Sequence, residues 1–504
     1  MGVPHFYKYV STKHRNAICV ALPEQCDALM IDLNCAVHRC AEGIRGENVA
    51  DKVIDNVVAW LRAILDVCKP MRELFIALDG VPPRAKMVQQ RSRRFISRTV
   101  GHLDEWDSCC VTPGTEFMSK LCKRLADEKA HLADLIGASV VVSDSSEAGE
   151  GEHKIFARIN SPELPRVTQP TVVYGADADL IMLSMRSLSR LFVLREDQHN
   201  KFVFVDVAML RRKMPLEPDE FVVLCMFLGN DFVPPLSFLR VKERGVDYLV
   251  EKYCQMKKAD PEFRLGDAAG LRFHSLLQML EAVGADEDGG FHHLDAVYME
   301  ARQRRFGGPL SGSDAWARAH EACDASKIKP GTHGWRQRYY SLLFPPMDVS
   351  GICELYLTGL SWTYAYYFAY SKSNAKLSDW YYPYAYSPTS LDVMNHLVSM
   401  GEEGFVKASS FVAGPVTSAA VRDPTLQLLL VLPPASDYLI EEHLRPLIHD
   451  VAEGCKHFYP TKFKLATYLK WHVSDCLAVL PAIDGSIVNK VMQRLSRRKK
   501  RLKI

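Results

Sequence analysis

Seven carboxylates recur at one kind of position in this sequence. Asp32 follows the apolar run ALMI (28–31), and Asp79 follows LFIAL (74–78). Glu150 and Glu152 lie in SDSSEAGEGEHK after SVVV (139–142), and Asp177 and Asp179 in GADADL after TVVY (171–174). Asp231 stands in MFLGNDF. Glu150/Glu152 and Asp177/Asp179 are each two residues apart, which aims both side chains to one side wherever the chain is extended. Seven ionised carboxylates held together repel, and burial worsens this, so either several stay protonated or hard divalent cations neutralise them. Oxygen-only ligands suit Mg²⁺ or Mn²⁺, and no Cys/His cluster competes for zinc. Two such ions about 3.5–4 Å apart can activate a water and stabilise the leaving oxygen of a phosphodiester. Each acid alone is as readily a turn former or a helix cap. All seven together read as a metal-dependent phosphodiesterase centre.

Cations stand directly beside one of these acids. In LDGVPPRAKMVQQRSRRF (78–95), Arg84, Lys86, Arg91, Arg93 and Arg94 fall within eleven positions with no acid among them. Pro82-Pro83 suits a helix start. A helix over about 84–98 puts Lys86, Gln90, Arg93 and Arg94 within roughly 100° of one face. Arginine forks match phosphate oxygens and lysine adds a point charge. A solvated, salt-bridged helix face is the ordinary fate of a charge run, but no acid lies three or four residues away within the stretch to pair with. The face is therefore expected to hold a phosphate next to the carboxylates.

The elements that must position these groups follow from the apolar pattern. Short strand-like runs alternate with helical stretches from 28 to 232, at 51–67, 84–98, 115–136, 151–160 and 218–232, which implies βαβ units and a mostly parallel sheet. Ligands of such sheets sit outside the carboxyl ends of the strands. Residues 255–330 carry the loop compositions GADEDGG (284–290) and FGGPLSGSDA (306–315). An apolar, aromatic region over 335–485 follows, and then RLSRRKKRLKI (494–504), with seven Lys or Arg and no acid. With 48% hydrophobic and 24% charged residues and a net charge of +2, the chain has the composition of a soluble globular protein. No run of eighteen apolar residues appears, so no membrane span is expected, and MGVPHFYKYV lacks the features of a signal peptide. Phe6 stands where a myristoylation signal wants Ser or Thr. The fourteen cysteines include no C-x-x-C pair and read as reduced thiols of an intracellular protein.

The ordered motifs resemble the XRN family of 5′-to-3′ exoribonucleases over nearly the whole chain. MGVPHFYKYV, IDLNCAVH, LDGVPPRAKMVQQRSRRF, TPGTEFM, SDSSEAGEGEHK, YGADADLIML and FLGNDFVP are similar to its first conserved block. GWRQRYYS, YLTGLSWTYAYY, DWYYPYAYSP, LLLVLPPASDYL and HFYPTKFK are similar to its second. The resemblance implies a PIN-like α/β nuclease domain (1–254), a connecting segment (255–330), a mainly helical second block walling the site (331–485) and a basic tail (486–504). It implies Mg²⁺, which Mn²⁺ can replace, as two ions held by Asp32, Asp79, Glu150, Glu152, Asp177, Asp179 and Asp231. It implies processive release of nucleoside 5′-monophosphates from 5′-monophosphorylated single-stranded RNA, with the terminal phosphate on Lys86, Gln90, Arg93 and Arg94. His38 and Trp362 would stack on the leading bases. A monomer is expected, with decapping or RNA-processing factors as partners and the cytoplasm as its place, or the nucleus if the tail is an address.

Cys35, Val88 and Ala148 stand where the family usually has Gly, Asn and Pro, and none of these changes removes a carboxylate or a phosphate ligand. The long extension of the large cytoplasmic members is missing, so a compact form is expected, of the kind a large DNA virus or a reduced genome would carry. Two other functions compete. A flap-type, structure-specific nuclease shares the carboxylate pattern, and an inactive RNA-binding scaffold would typically have lost metal ligands.

Overall fold

Runs of Val, Ile, Leu and Phe with side chains alternating between two faces build a seven-stranded sheet. The computed structural model describes residues 2–100, 106–162, 169–197, 199–306, 312–368, 379–410 and 423–502. The strands are β1 (Ile18–Cys19), β2 (Ala28–Asp32), β3 (Glu73–Ala77), β4 (Ser139–Ser143), β5 (Thr171–Tyr174), β6 (Leu191–Glu196) and β7 (Phe202–Asp206). Their order across the sheet is β1-β7-β6-β5-β2-β3-β4. From β4 to β6 every neighbouring pair is parallel, while β7 and β1 close one edge antiparallel. This is the mostly parallel α/β sheet that the alternating pattern predicts. The hairpin β6–β7 extends it beyond the four predicted runs.

One sheet face carries Met30, Phe75, Val173 and Val193 into a core shared with the helices Ala178–Arg186 and Pro218–Met226. The other carries Leu29, Ile31, Leu74, Ile76 and Val172 against the helices Val49–Cys68 and Glu116–Ile136. Chain direction across the sheet reverses at β2: β3 and β4 follow on one side, β5 and β6 on the other. A crevice forms at such a switch point, outside the carboxyl ends of the strands. Asp32 ends β2 on one side of it, and Asp177 follows β5 on the other.

The second half is mainly helical, with Trp335–Leu343, Val349–Phe368, Ser390–Ser410 and Pro424–Val431 among its elements. Two compositional readings give way to tertiary packing. GADEDGG has loop composition, yet it spans the end of the helix Phe273–Ala285 and the start of Glu287–Phe306. Glu287 and Asp288 sit in a first helical turn, where acids are favoured. A Cβ on Gly284 would lie 2.7 Å from Leu391, and one on Gly290 2.5 Å from Phe238, so these glycines mark close contacts rather than a loop. The basic tail forms a helix over Gly485–Leu502 whose Val488, Val491, Met492 and Leu495 are buried in a core with Leu428 and Leu444. Residues 307–311 of the predicted connecting segment, and 503–504 of the tail, lie outside the described residues. Among the described residues no helix is long and apolar enough to cross a membrane.

Candidate active site

The carboxylates gather at the crevice. Asp32, Glu150 and Asp177 stand at the N-cap positions of the helices Leu33–Cys40, Gly151–Ile159 and Ala178–Arg186, yet none of the three makes a side-chain cap hydrogen bond. Asp206 and Thr115, at comparable positions, do cap, accepting from the Met209 and Met118 amides. The capping explanation therefore fails for the three acids at the crevice. Asp79 accepts from the Gly151 amide at 2.7 Å, and its own amide donates to Asn34 Oδ1 at 3.2 Å. These two bonds tie the ends of β2 and β3 to the start of the helix Gly151–Ile159, where Glu150 and Glu152 stand. Lys154 secures the same corner, donating from Nζ to the Leu78 and Asp144 carbonyls at 2.8 and 2.7 Å. Asp231 comes from the loop after the helix Pro218–Met226.

Electrostatics record how closely these groups lie. Burial, with Asp79 and Asp177 adding to it, pushes the Asp32 carboxyl up to about 8. Burial and Glu150 push Asp79 up to about 6. Burial and Asp231 raise Asp179 to about 7, and burial with Asp179 and Glu150 raises Glu152 well above the carboxylate range. Asp177 goes the other way: burial opposes its charge, but positive charge including Lys86 and Arg93 draws it down to about 2. Among the described residues, Asp32 Oδ1 and Asp179 Oδ1 are buried without a hydrogen-bond partner. A buried carboxylate oxygen in that state either carries a proton or faces a cation. Glu150, Glu152 and His153 can each point one ligand atom so that all lie within 4.8 Å of one another. The residues present thus fit hard divalent ions.

The cationic helix runs Arg84–Val100 and splits its charges between two tasks. Arg84 and Arg91 hold the second half in place: Arg84 Nη2 donates to the Ile483 carbonyl at 2.5 Å, and Arg91 to the Phe458 carbonyl. Lys86 reaches the carboxylates, with Nζ 2.6 Å from Glu150 Oε2 and 2.7 Å from Asp231 Oδ2. Burial works against its charge, but Asp231 and Glu150 hold it well above the usual lysine value. The structure thus gives Lys86 a carboxylate partner where the sequence suggests only a phosphate. Gln90 and Arg94 follow at one and two helical turns, both buried, and Gln90 Oε1 and Arg94 Nη1 have no hydrogen-bond partner among the described residues. Arg93 is exposed. His38 lies close enough that its own burial, then Arg93 and Arg94, lower its imidazole to about 4.

Trp362 is placed differently from the expectation of base stacking. It is 1% exposed, stacked on Tyr366 at 4.9 Å and on Trp380 at 5.3 Å between ring centres, with Phe232 edge-on at 4.7 Å. In this conformation it presents no open face to a substrate; it is the core of an aromatic wall. The wall meets the carboxylates through Tyr366, whose hydroxyl donates to Glu150 Oε1, and through Tyr367 beside Asp179. His153 Nε2 lies 3.2 Å from the Tyr366 carbonyl and joins the same seam. Neither residue stood out in the sequence. His153 was legible as the residue after Glu152 in GEGEHK, but nothing in WTYAYY separates Tyr366 from its neighbours.

The chain matches the family model described as the XRN 5′-3′ exonuclease N-terminus over residues 1–197, and that of the Xrn1 helical domain over 217–308 and 310–501. It is 26% identical to the 5′-3′ exoribonuclease 2 homolog of Drosophila melanogaster, covering 98% of this chain and 71% of that one. To 5′-3′ exoribonuclease 2 of Debaryomyces hansenii it is 25% identical over 99% of this chain and 70% of the relative. Among solved structures, the catalytic core of Rad2 in complex with DNA aligns with 51% of this chain and 72% of its own, at 12% identity and a TM-score of 0.33. With family models matching both halves and the carboxylates of the first half gathered at one sheet edge, this chain belongs to the XRN 5′-3′ exonuclease family.

Proposed function

We propose that the chain degrades single-stranded RNA from a 5′-monophosphate end, processively and towards the 3′ end, releasing nucleoside 5′-monophosphates. In this reading residues 1–254 are the nuclease domain and 331–485 wall its site. The observation that carries it is the helix Arg84–Val100, which bears Lys86 in the carboxylate cluster and, one and two turns on, the buried unpartnered atoms of Gln90 and Arg94. A buried guanidinium without an anion is costly to hold. A terminal phosphate would supply that anion, one helical turn or two from the cleavage centre.

Asp32, Asp79, Glu150, Glu152, Asp177, Asp179 and Asp231 would hold two Mg²⁺ ions, or Mn²⁺. When bound, these ions neutralise the cluster and stabilise charge on the scissile phosphate. Arg94 and Gln90 hold the terminal phosphate by charge-assisted hydrogen bonds, with Arg93 at the rim. Lys86 fixes the spacing between the two sites through Glu150 and Asp231. His38, neutral at physiological pH because its imidazole is lowered to about 4, offers the leading base a flat ring without a charge. Tyr366 orients Glu150.

The test is digestion of one RNA prepared with a 5′-monophosphate, 5′-triphosphate, 5′-hydroxyl or cap, in Mg²⁺ and in EDTA. Rapid loss of the monophosphorylated RNA alone, abolished by EDTA, is expected. Cleavage within branched duplexes regardless of the 5′ group would favour a flap-type nuclease, and RNA binding without cleavage a scaffold.

A further inference from the structure

The helix Gly485–Leu502 carries a cationic stripe that the proposed site does not use. Lys490, Arg494, Arg497 and Arg501 follow at intervals of four, three and four residues and are all exposed. This spacing keeps them on one face, along about 16 Å of helix. Arg498 and Lys500 flank the stripe. Arg494 and Arg498 pair with Glu453, and Lys499 pairs with Glu441, but Lys490, Arg497, Lys500 and Arg501 have no ion pair among the described residues. The stripe is rigidly mounted. Val488, Val491, Met492 and Leu495 are buried beneath it, and the chain just before the helix is bonded through the Ile483 carbonyl to Arg84, two residues from Lys86. Four charges without an ion pair on a fixed helix, with Asp484 the acid near Lys490, form a field that attracts a polyanion. Because the apolar side of the helix is already consumed by the core, nothing is left to enter a bilayer, as an interfacial helix requires.

We propose that this stripe is a second RNA-binding surface, holding the phosphates of the same single strand several nucleotides 3′ of the cleavage site. The inference rests on the RNA-degrading function proposed above. A strand long enough to reach from the carboxylates to Lys490 and beyond gains counterion-release affinity there, and a short one does not.

The experiment compares wild type with the variant Lys490→Gln/Arg497→Gln/Lys500→Gln/Arg501→Gln on 5′-monophosphorylated RNAs of about five and about thirty nucleotides. Affinity is read by fluorescence anisotropy in EDTA across a salt series, and cleavage separately in Mg²⁺. The variant should bind the long strand roughly tenfold more weakly, with its salt slope reduced by about 0.7 per lost contact, and the short strand unchanged. Unchanged long-strand affinity and slope, or equal weakening for both lengths, would overturn the stripe's role. So would wild-type binding to anionic vesicles in place of RNA. If the four-site variant does not fold, Arg497→Gln/Arg501→Gln gives the same comparison at smaller amplitude. Absence of cleavage by the wild type would count against the proposed function alone, since the anisotropy arm needs no turnover.

Discussion

Asp179 has a buried Oδ1 with no partner among the described residues and a carboxyl raised to about 7 by burial and Asp231. Asp179→Asn removes one charge from a repulsive, desolvated set while keeping the shape. We expect nuclease activity to be lost and the melting temperature in EDTA to rise, measured by calorimetry beside the wild type. The same cluster sets a pH dependence. Asp32, Asp79 and Asp179, at about 8, 6 and 7, bind more protons folded than unfolded between roughly pH 4 and 8. The folded state is therefore favoured at the acid end of that window, and the metal-free protein should lose stability as pH rises through it. Asp177 and Asp231 are lowered instead and titrate below the window, and His38, lowered to about 4, offsets only part of the loss, below its ordinary value near 6.5. Thermal melts in EDTA should show this decline from pH 5 to 8, and Mg²⁺ should remove most of it; a metal-free protein that grows more stable towards pH 8 would contradict the assignment. Tyr366→Phe deletes only the hydroxyl that donates to Glu150. A hydrogen bond to a charged group is worth about 1.5–3 kcal/mol, so a roughly tenfold or larger fall in cleavage rate is expected, with the aromatic stack and the fold retained.

Two loops bring the acids together, and Gly80 is where they touch. Its amide donates to the Gly149 carbonyl at 2.8 Å, and a Cβ there would sit 1.8 Å from the Glu147 carbonyl oxygen, a backbone atom that cannot swing aside. Gly80→Ala should therefore push apart the loops bearing Asp79 and Glu150. About 1–3 kcal/mol of stability should be lost in denaturant titrations, and activity should fall further than stability. Much at this scale was legible beforehand. The strands β2 to β5 and the helix Arg84–Val100 were readable because each is a continuous run whose period and flanking Pro or Asp are local signals. Three features were not, because each depends on partners far along the chain. Lys86 meets Asp231 across 145 positions, a contact that no spacing within the cationic stretch announces. The helix Val349–Phe368 is aromatic around much of its surface, so only packing decides that Tyr366 faces the carboxylates while Trp362 is sealed among other rings. In GADEDGG, close packing of Gly284 against the helix Ser390–Ser410 and of Gly290 against Phe238 outweighed the low helix propensity of glycine.

Across the whole molecule, two halves share one site. The sheet's carboxyl edge supplies the acids, and the second half supplies the aromatic wall and the carbonyls that receive Arg84 and Arg91. The helix Arg84–Val100 runs along the seam, so the proposed phosphate pocket and the carboxylate cluster are joined by one rigid element. Selection of a monophosphate end should follow from the proposed pocket: a 5′-hydroxyl leaves Arg94 buried without an anion, while a triphosphate or cap must fit its extra bulk beside the buried Arg94 and Gln90. The most direct measurement is the ratio of cleavage rates on 5′-monophosphate and 5′-hydroxyl RNA of the same sequence, in wild type and in Arg94→Ala. The wild type should strongly prefer the monophosphate. Loss of one charge-assisted contact should cut the rate on that substrate by roughly ten- to a hundredfold and bring the ratio towards one. A wild-type ratio near one, or a ratio that Arg94→Ala leaves unchanged, would contradict the account.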